Sequence, residues 1–306
     1  MQPIKKITVI GAGAMGSVYA AKFFDLDKDC IALVAKGERY GRLKAQGLTV
    51  NDRHYALSVL DVEEKTSPSD LIIVAVKHHH LPEAIQDMRN RVGEHTVILS
   101  VMNGIESEEQ IGAVYGMKRV LYAVSVGIDA LRRENRTTYS TQGKLYFGEA
   151  ENHDLSERVM RIQSLFDQAG LVYETPEDMI RTLWWKFMIN VGTNQVAAIL
   201  RAPFAVLQTS QEARELMESA MREVMAVAEA KKVQLSQADL DNWFSVLSGL
   251  SPEGRPSMLQ DVEAKRKTEV EMFAGKMIQL GNALHIPVPV NEAFFRIIRV
   301  IEEHYD

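Results

Sequence analysis

A chain of 306 residues, 46% hydrophobic and 25% charged, is long enough for two domains, each with its own core. Its formal net charge of −6, with Lys and Arg scattered along the chain, leaves no electrostatic footprint for nucleic acid. No stretch reaches the roughly 18 uninterrupted apolar residues of a membrane span, and the first apolar run is too short for a secretion signal, so neither membrane nor export is expected.

The chain begins with "KITVIGAG", a short β-branched run that flows into a glycine motif. Gly11, Gly13 and Gly16 form G-x-G-x-x-G between a predicted strand and the predicted helix "AMGSVYAAKFF". The first glycine permits the tight turn, the second lets backbone approach a pyrophosphate and the third lets helix pack on strand, so the loop Gly11, Ala12, Gly13, Ala14, Met15, Gly16 reads as dinucleotide-binding. The single cysteine, Cys30, opens the apolar run "CIALVA"; it has no disulfide partner, reads as a small packed hydrophobe and fits a reducing, cytoplasmic setting.

The end of that second strand bears on which dinucleotide. An NAD-preferring fold usually places a carboxylate there to hold the ribose hydroxyls. Here Lys36 follows, with Arg39 close behind, and a lysine attracts a 2′-phosphate, so NADP(H) is the expected cofactor. Glu38 leaves the ribose reading open, and a plain surface turn at "KGER" is the simpler alternative for Lys36.

Further runs "LIIVAV" and "TVILSV" read as buried parallel strands. In an open α/β sheet the ligand lies beyond the carboxyl ends of the strands, where Lys77 and Asn103 stand, although Asn103-Gly104 is equally a turn signal. Three histidines, 78 to 80, have neither the facing geometry nor the neighbouring ligands of a metal site, and no metal is expected. "RVLYAVSVGI", "TTYSTQGKLYFGE" and "LVYETP" are read as further strands with antiparallel or edge pairing, ending the sheet near residue 174.

From Pro176 the pattern becomes helical, dividing the chain into 1–175, a Rossmann-type doubly wound α/β domain, and 176–306, an all-helical domain. In "LWWKFMINVGTNQ" Lys186, Asn190 and Asn194 are spaced by four, which on an α-helix makes a stripe about 12 Å long. A solvated helix edge is the bland reading, yet the flanking residues are bulky and apolar and Asn is a poor mid-helix residue. Trp184 and Trp185 read as packing. Leu216, Ala220, Val224 and Val227 form a stripe that either packs internally or pairs two subunits in a homodimer. "SMLQDVEAKRKTEVEMFAGKMIQLGNALH" reads as one long helical pattern; Pro256 to Gln260 also has the shape of a capping box with Ser257 as N-cap. On an unbroken helix Glu269 would stand about 18 Å from Ser257.

Taken in order, "GAGAMG", "VAVK", "VMNG", "WWKFMINVGTN" and "SMLQDVEAKRKTEVE" resemble the ketopantoate reductases (2-dehydropantoate 2-reductases) over nearly the full length. No single motif decides this, but K-x₃-N-x₃-N followed by S-M-x-Q-D and T-E is a specific combination. The resemblance implies NADPH-dependent reduction of a small 2-keto acid, ketopantoate, to pantoate. By the same resemblance Lys186 is the catalytic acid; Asn190, Asn194 and Ser257 bind substrate. Asn103 touches substrate and cofactor, Lys77 the cofactor, and Glu269 the nicotinamide-side ribose. After Asn194 the run "QVAAILRAPF" departs from the proline- and threonine-containing segment commoner in that family. Two alternatives stay open: a β-hydroxyacid dehydrogenase of hydroxyisobutyrate type, or a relative acting on another 2-keto acid, and a non-catalytic NADP(H) sensor.

Overall fold

The structure, a computed structural model, describes residues 3–305. They fall into two compact units, 1–180 and 181–306.

The first unit is built on its apolar runs. In chain order it contains β1 (Ile7–Ile10), α1 (Ala14–Leu26), β2 (Ile31–Ala35), α2 (Gly37–Gln46), β3 (Leu48–Val50), β4 (Arg53–Tyr55), β5 (Ser58–Asp61), β6 (Leu71–Val74), α3 (Leu81–Asp87), β7 (Val97–Ser100) and α4 (Ser107–Tyr115). There follow β8 (Val120–Val126), β9 (Leu131–Arg133), β10 (Arg136–Thr138), β11 (Lys144–Gly148), α5 (Glu157–Gln168) and β12 (Tyr173–Glu174). Among the described residues the main sheet has the order β12-β11-β8-β7-β6-β1-β2-β5. Its central pairs are parallel, β11 runs antiparallel to β8, and β12 closes the edge. Every residue of β1, β6 and β7 is buried, the pattern of strands covered on both faces.

The chain leaves β1 towards β2 on one side and takes up β6 on the other, so the strand order reverses at β1. That reversal places the crevice of a doubly wound sheet at the carboxyl ends of β1 and β6.

A four-stranded sheet, β4-β3-β10-β9, was not expected. "TTYSTQGKLYFGE" is therefore two strands in two sheets: β10 pairs with β9 and β3, while β11 joins the main sheet. The signal for the β9–β10 hairpin is the two-residue turn Glu134-Asn135 between "LRR" and "RTT", with Glu134 at φ 53°. Segment 176–179 also stays with the first unit, because Asn152 Nδ2 donates to Pro176 O (2.8 Å) and Met179 N to Ala150 O (3.0 Å).

In the second unit all regular structure among the described residues is helical: α6 (Met179–Ile189, whose first two residues count with the first unit), α7 (Gln195–Leu200), α8 (Phe204–Thr209), α9 (Gln211–Ala230), α10 (Gln237–Gly249), α11 (Ser257–Glu263), α12 (Lys276–Leu284) and α13 (Pro289–Glu303). On α9, Ala220, Val224 and Val227 are fully buried while Leu216 is half-buried, so three residues of the stripe read as a possible subunit seam pack into the unit's own core. Two π-turns interrupt the α-helical run, at Asn190–Asn194 and Glu271–Gly275.

The long helix expected from Ser257 onward breaks. It stops at Glu263, Lys265 adopts φ 52°, and Thr268 is held instead by Glu302 Oε1, which accepts from its backbone N–H (2.7 Å) and its Oγ1 (2.6 Å). Glu269 thus stands in a bend, and the 18 Å helical separation from Ser257 does not apply.

Candidate active site

The candidate site residues fall into two groups, one in each unit. In the first, Gly11 sits at φ 99°, and a Cβ there would lie 2.5 Å from Ala75 O. A Cβ on Gly16 would fall 1.8 Å from Gly11 O, so the turn and the α1 backbone can meet only at glycine. A Cβ on Gly13 would meet only Ala75 O, at 3.8 Å, leaving room above the turn. Gly13 is also the N-cap of α1, with no side-chain cap and no acidic residue in the first turn. The helix therefore presents uncompensated N–H groups, which suit a pyrophosphate. Ala12 is buried in the turn, Ala14 opens α1, and Met15 is half-buried.

Lys77 follows β6 as the residue before a short 3₁₀ turn of His78–His80, and Asn103 follows β7 beside Gly104, at φ 97°. Both side chains are half-buried at carboxyl ends of central strands. Among the described residues no three His, Cys, Asp or Glu side chains are grouped to hold a metal ion.

Lys36 caps β2 as expected, but its ammonium is matched by Glu83 (2.6 Å) and Asp87 (2.9 Å), which also raise its pKa. Arginines nearby are less compensated. Arg132, on β9, donates from Nη1 to Ser17 Oγ in the first turns of α1 (2.8 Å). Desolvation, then the charges of Arg39 and Arg42, lower its pKa; desolvation and Arg42 lower that of Arg39. Arg132 at the start of α1, with Arg39 and Arg42 within electrostatic reach of it, makes a cationic group that suits a polyanion. Sequence reading missed Arg132 because its contact spans 115 positions.

In the second unit the expected α-helical stripe is modified. α6 ends at Ile189, and Asn190 to Asn194 form a π-turn with i→i+5 bonding, across which the two asparagine side chains meet. Asn194 Nδ2 donates to Asn190 Oδ1 (2.9 Å). Asn194 Oδ1 in turn accepts from Ser257 Oγ (3.0 Å) and Met258 N (3.3 Å). Ser257 is not the N-cap: Pro256 occupies that position, Gln260 Nε2 turns back to Arg255 O (2.9 Å), and no capping box forms. Asn190, Asn194 and Ser257 thus make one amide–hydroxyl cluster.

Lys186 lies one turn before Asn190, in the last turn of α6. Its side chain is half-buried, and no carboxylate pairs with it among the described residues. Burial alone pushes its ammonium down to about 8. Trp184 is buried and packs edge-on against Phe187, with ring centroids 5.9 Å apart. Glu269 is buried at the start of the segment leading into the second π-turn.

Family models described as "Ketopantoate reductase PanE/ApbA" and "Ketopantoate reductase PanE/ApbA C terminal" match residues 7–152 and 178–302. The chain belongs to the ketopantoate reductase family. Ketopantoate reductases are oxidoreductases, and this chain is an enzyme of that class. The 2-dehydropantoate 2-reductase of Aquifex aeolicus is 25% identical over 304 residues, covering 98% of this chain and 97% of its own. Among solved structures, a PanE/ApbA family ketopantoate reductase from Ralstonia eutropha superimposes with a TM-score of 0.85 at 23% identity, covering 97% and 98% of the two chains. A D-mandelate dehydrogenase solved with NADH and anilino(oxo)acetate superimposes with 0.86 at 21%, with the same coverage. Among the described residues no helix is long and apolar enough to cross a membrane.

Proposed function

We propose that this ketopantoate reductase family member reduces the 2-keto group of ketopantoate to the hydroxyl of pantoate, using NADPH, with Lys186 as proton donor. The observation that carries the reading is Lys186 itself: a half-buried ammonium without a carboxylate partner, one turn before a cluster of amides and a hydroxyl. A lysine with a pKa of about 8 is charged at neutral pH, yet gives up its proton more readily than one at the ordinary 10.5.

The nicotinamide, when bound, supplies a hydride to the keto carbon. Negative charge then develops on the keto oxygen; Lys186 stabilises it and transfers a proton from Nζ, leaving a neutral amine that solvent reprotonates. Asn190, Asn194 and Ser257 offer donors and acceptors for the carboxylate and hydroxyl of the substrate. The glycine turn and the open N-terminus of α1 fit the pyrophosphate. Arg39, Arg42 and Arg132 support NADPH over NADH, because a 2′-phosphate adds charge where these cations stand. Lys77, Asn103 and Glu269 complete the proposed contacts to cofactor and substrate.

A second reading, reduction of another 2-keto acid with NADH, is favoured by the likeness to the D-mandelate dehydrogenase. Initial rates of NADPH and NADH oxidation with ketopantoate, phenylglyoxylate and simple branched 2-keto acids separate the two. A kcat/KM for ketopantoate with NADPH below that for any other pair would overturn the first reading.

A further inference from the structure

A polar chain, half-buried at Glu223 and fully buried beyond it, runs from α9 through α13 to the π-turn. The Glu223 carboxylate accepts three hydrogen bonds at the start of α13, from Val290 N (2.7 Å), Asn291 N (3.0 Å) and Asn291 Nδ2 (2.8 Å). Asn291, fully buried, accepts at Oδ1 from Gln195 Nε2 (3.2 Å). Gln195, also fully buried, donates from the same nitrogen to Val191 O, inside the π-turn (2.8 Å). Its own Oε1 is buried without a hydrogen-bond partner.

The direction of this chain is set at one end. An ionised carboxylate only accepts, so Asn291 must face Glu223 with its Nδ2 and Gln195 with its Oδ1. Gln195 must then present Nε2, whose two hydrogens go to Asn291 and to Val191 O. The orphaned Oε1 follows from this arrangement, because both neighbours of the amide are acceptors. Leaving a buried amide oxygen unpaired opposes folding, and what Gln195 gains in this orientation is the donor it aims at Val191 O.

The π-turn is fixed around the same carbonyl. A Cβ on Gly192 would lie 2.5 Å from the Met221 side chain and 3.0 Å from Met217 O, so α9 packs directly on the turn. On its other side Trp243 Nε1 donates to Thr193 Oγ1 (2.9 Å).

We propose that Glu223, Asn291 and Gln195 act as positioning residues: the carboxylate orients two amides in series, and the second amide holds Val191 O so that the π-turn keeps Asn190 and Asn194 aligned for the substrate. This rests on the keto acid reading above, yet concerns groups that touch neither substrate nor cofactor.

The test compares Glu223→Gln, which keeps the shape but lets both amides turn over, with Gln195→Met, which keeps the volume but removes the donor. Each is measured for keto acid KM, NADPH dissociation constant, melting temperature and amide hydrogen exchange over 190–195. The expected result is a keto acid KM raised about tenfold or more, NADPH affinity within twofold of the parent, faster exchange in the π-turn, and no further loss in the double variant. Unchanged KM with a lowered melting temperature, or additive effects in the double variant, would overturn the proposal. If Gln195→Met does not fold, Glu223→Gln decides alone. A parent enzyme that turns over no 2-keto acid sinks the functional reading instead, and the exchange data still report on the chain.

Discussion

Asn194 donates to Asn190 across the π-turn while its oxygen takes hydrogen bonds from Ser257 and Met258, so a single amide joins the turn to the first turn of α11. Asn194→Ala removes the acceptor of the Met258 N–H and of the Ser257 hydroxyl, together with the donor to Asn190. We expect a stability loss of about 1–3 kcal/mol together with a raised keto acid KM. Ser257→Ala removes one donor only and should lower stability by less than half as much; chemical denaturation of the two variants checks the ranking.

Lys186→Met should separate activity from stability. Loss of the general acid lowers kcat by about 10²–10⁴-fold. The folded-state pKa lies below the ordinary value, so the charged form is disfavoured by folding. That penalty is complete below pH 8 and fades as pH rises towards 10.5. Replacing the ammonium with a thioether at pH 7 is expected to stabilise the fold by on the order of 1–3 kcal/mol, read as a higher melting temperature in an inactive enzyme. An inactive variant that melts lower would contradict the cause assigned to the shift.

The same group sets the pH profile of reduction. Protonated Lys186 is the active form, so kcat/KM should be level below about pH 8 and fall by about tenfold per unit above it. Lys186→Arg keeps the charge at all accessible pH and should show low activity without the alkaline fall. A profile falling at the same pH in that variant would assign the titration elsewhere.

Arg132→Leu tests the cofactor reading. Removing one guanidinium from the group beside Ser17 is expected to weaken NADPH by about tenfold or more while NADH changes less than twofold. The difference should shrink as ionic strength rises. Equal losses for the two coenzymes would point to a structural role for the Arg132–Ser17 bond.

The parallel sheet and its crevice were legible because β1, β6 and β7 are continuous apolar runs and because Gly11 and Gly16 are dictated by backbone contact. The register of Lys186, Asn190 and Asn194 was legible as spacing, but the turn that aligns the two asparagines was not. Its stabilising partners, Gln195, Asn291 and Trp243, lie on three different helical segments, and no local pattern marks an i→i+5 ladder. Arg132 was hidden for the same reason of distance. The helix break after Glu263 escaped because "EAKRKTEV" favours helix residue by residue, whereas the Thr268–Glu302 bond that opposes it spans 34 positions.

That break has a consequence for handling the enzyme. Lys265, Arg266 and Lys267 are exposed on a non-helical segment whose neighbours Val262 and Thr268 are buried, so trypsin meets three cleavable bonds in an accessible strand of chain. A nick there leaves Ser257 and Asn194 on one fragment and Glu269 on the other. Proteolysis at this point therefore doubles as a probe of whether the two fragments must be covalently joined for turnover.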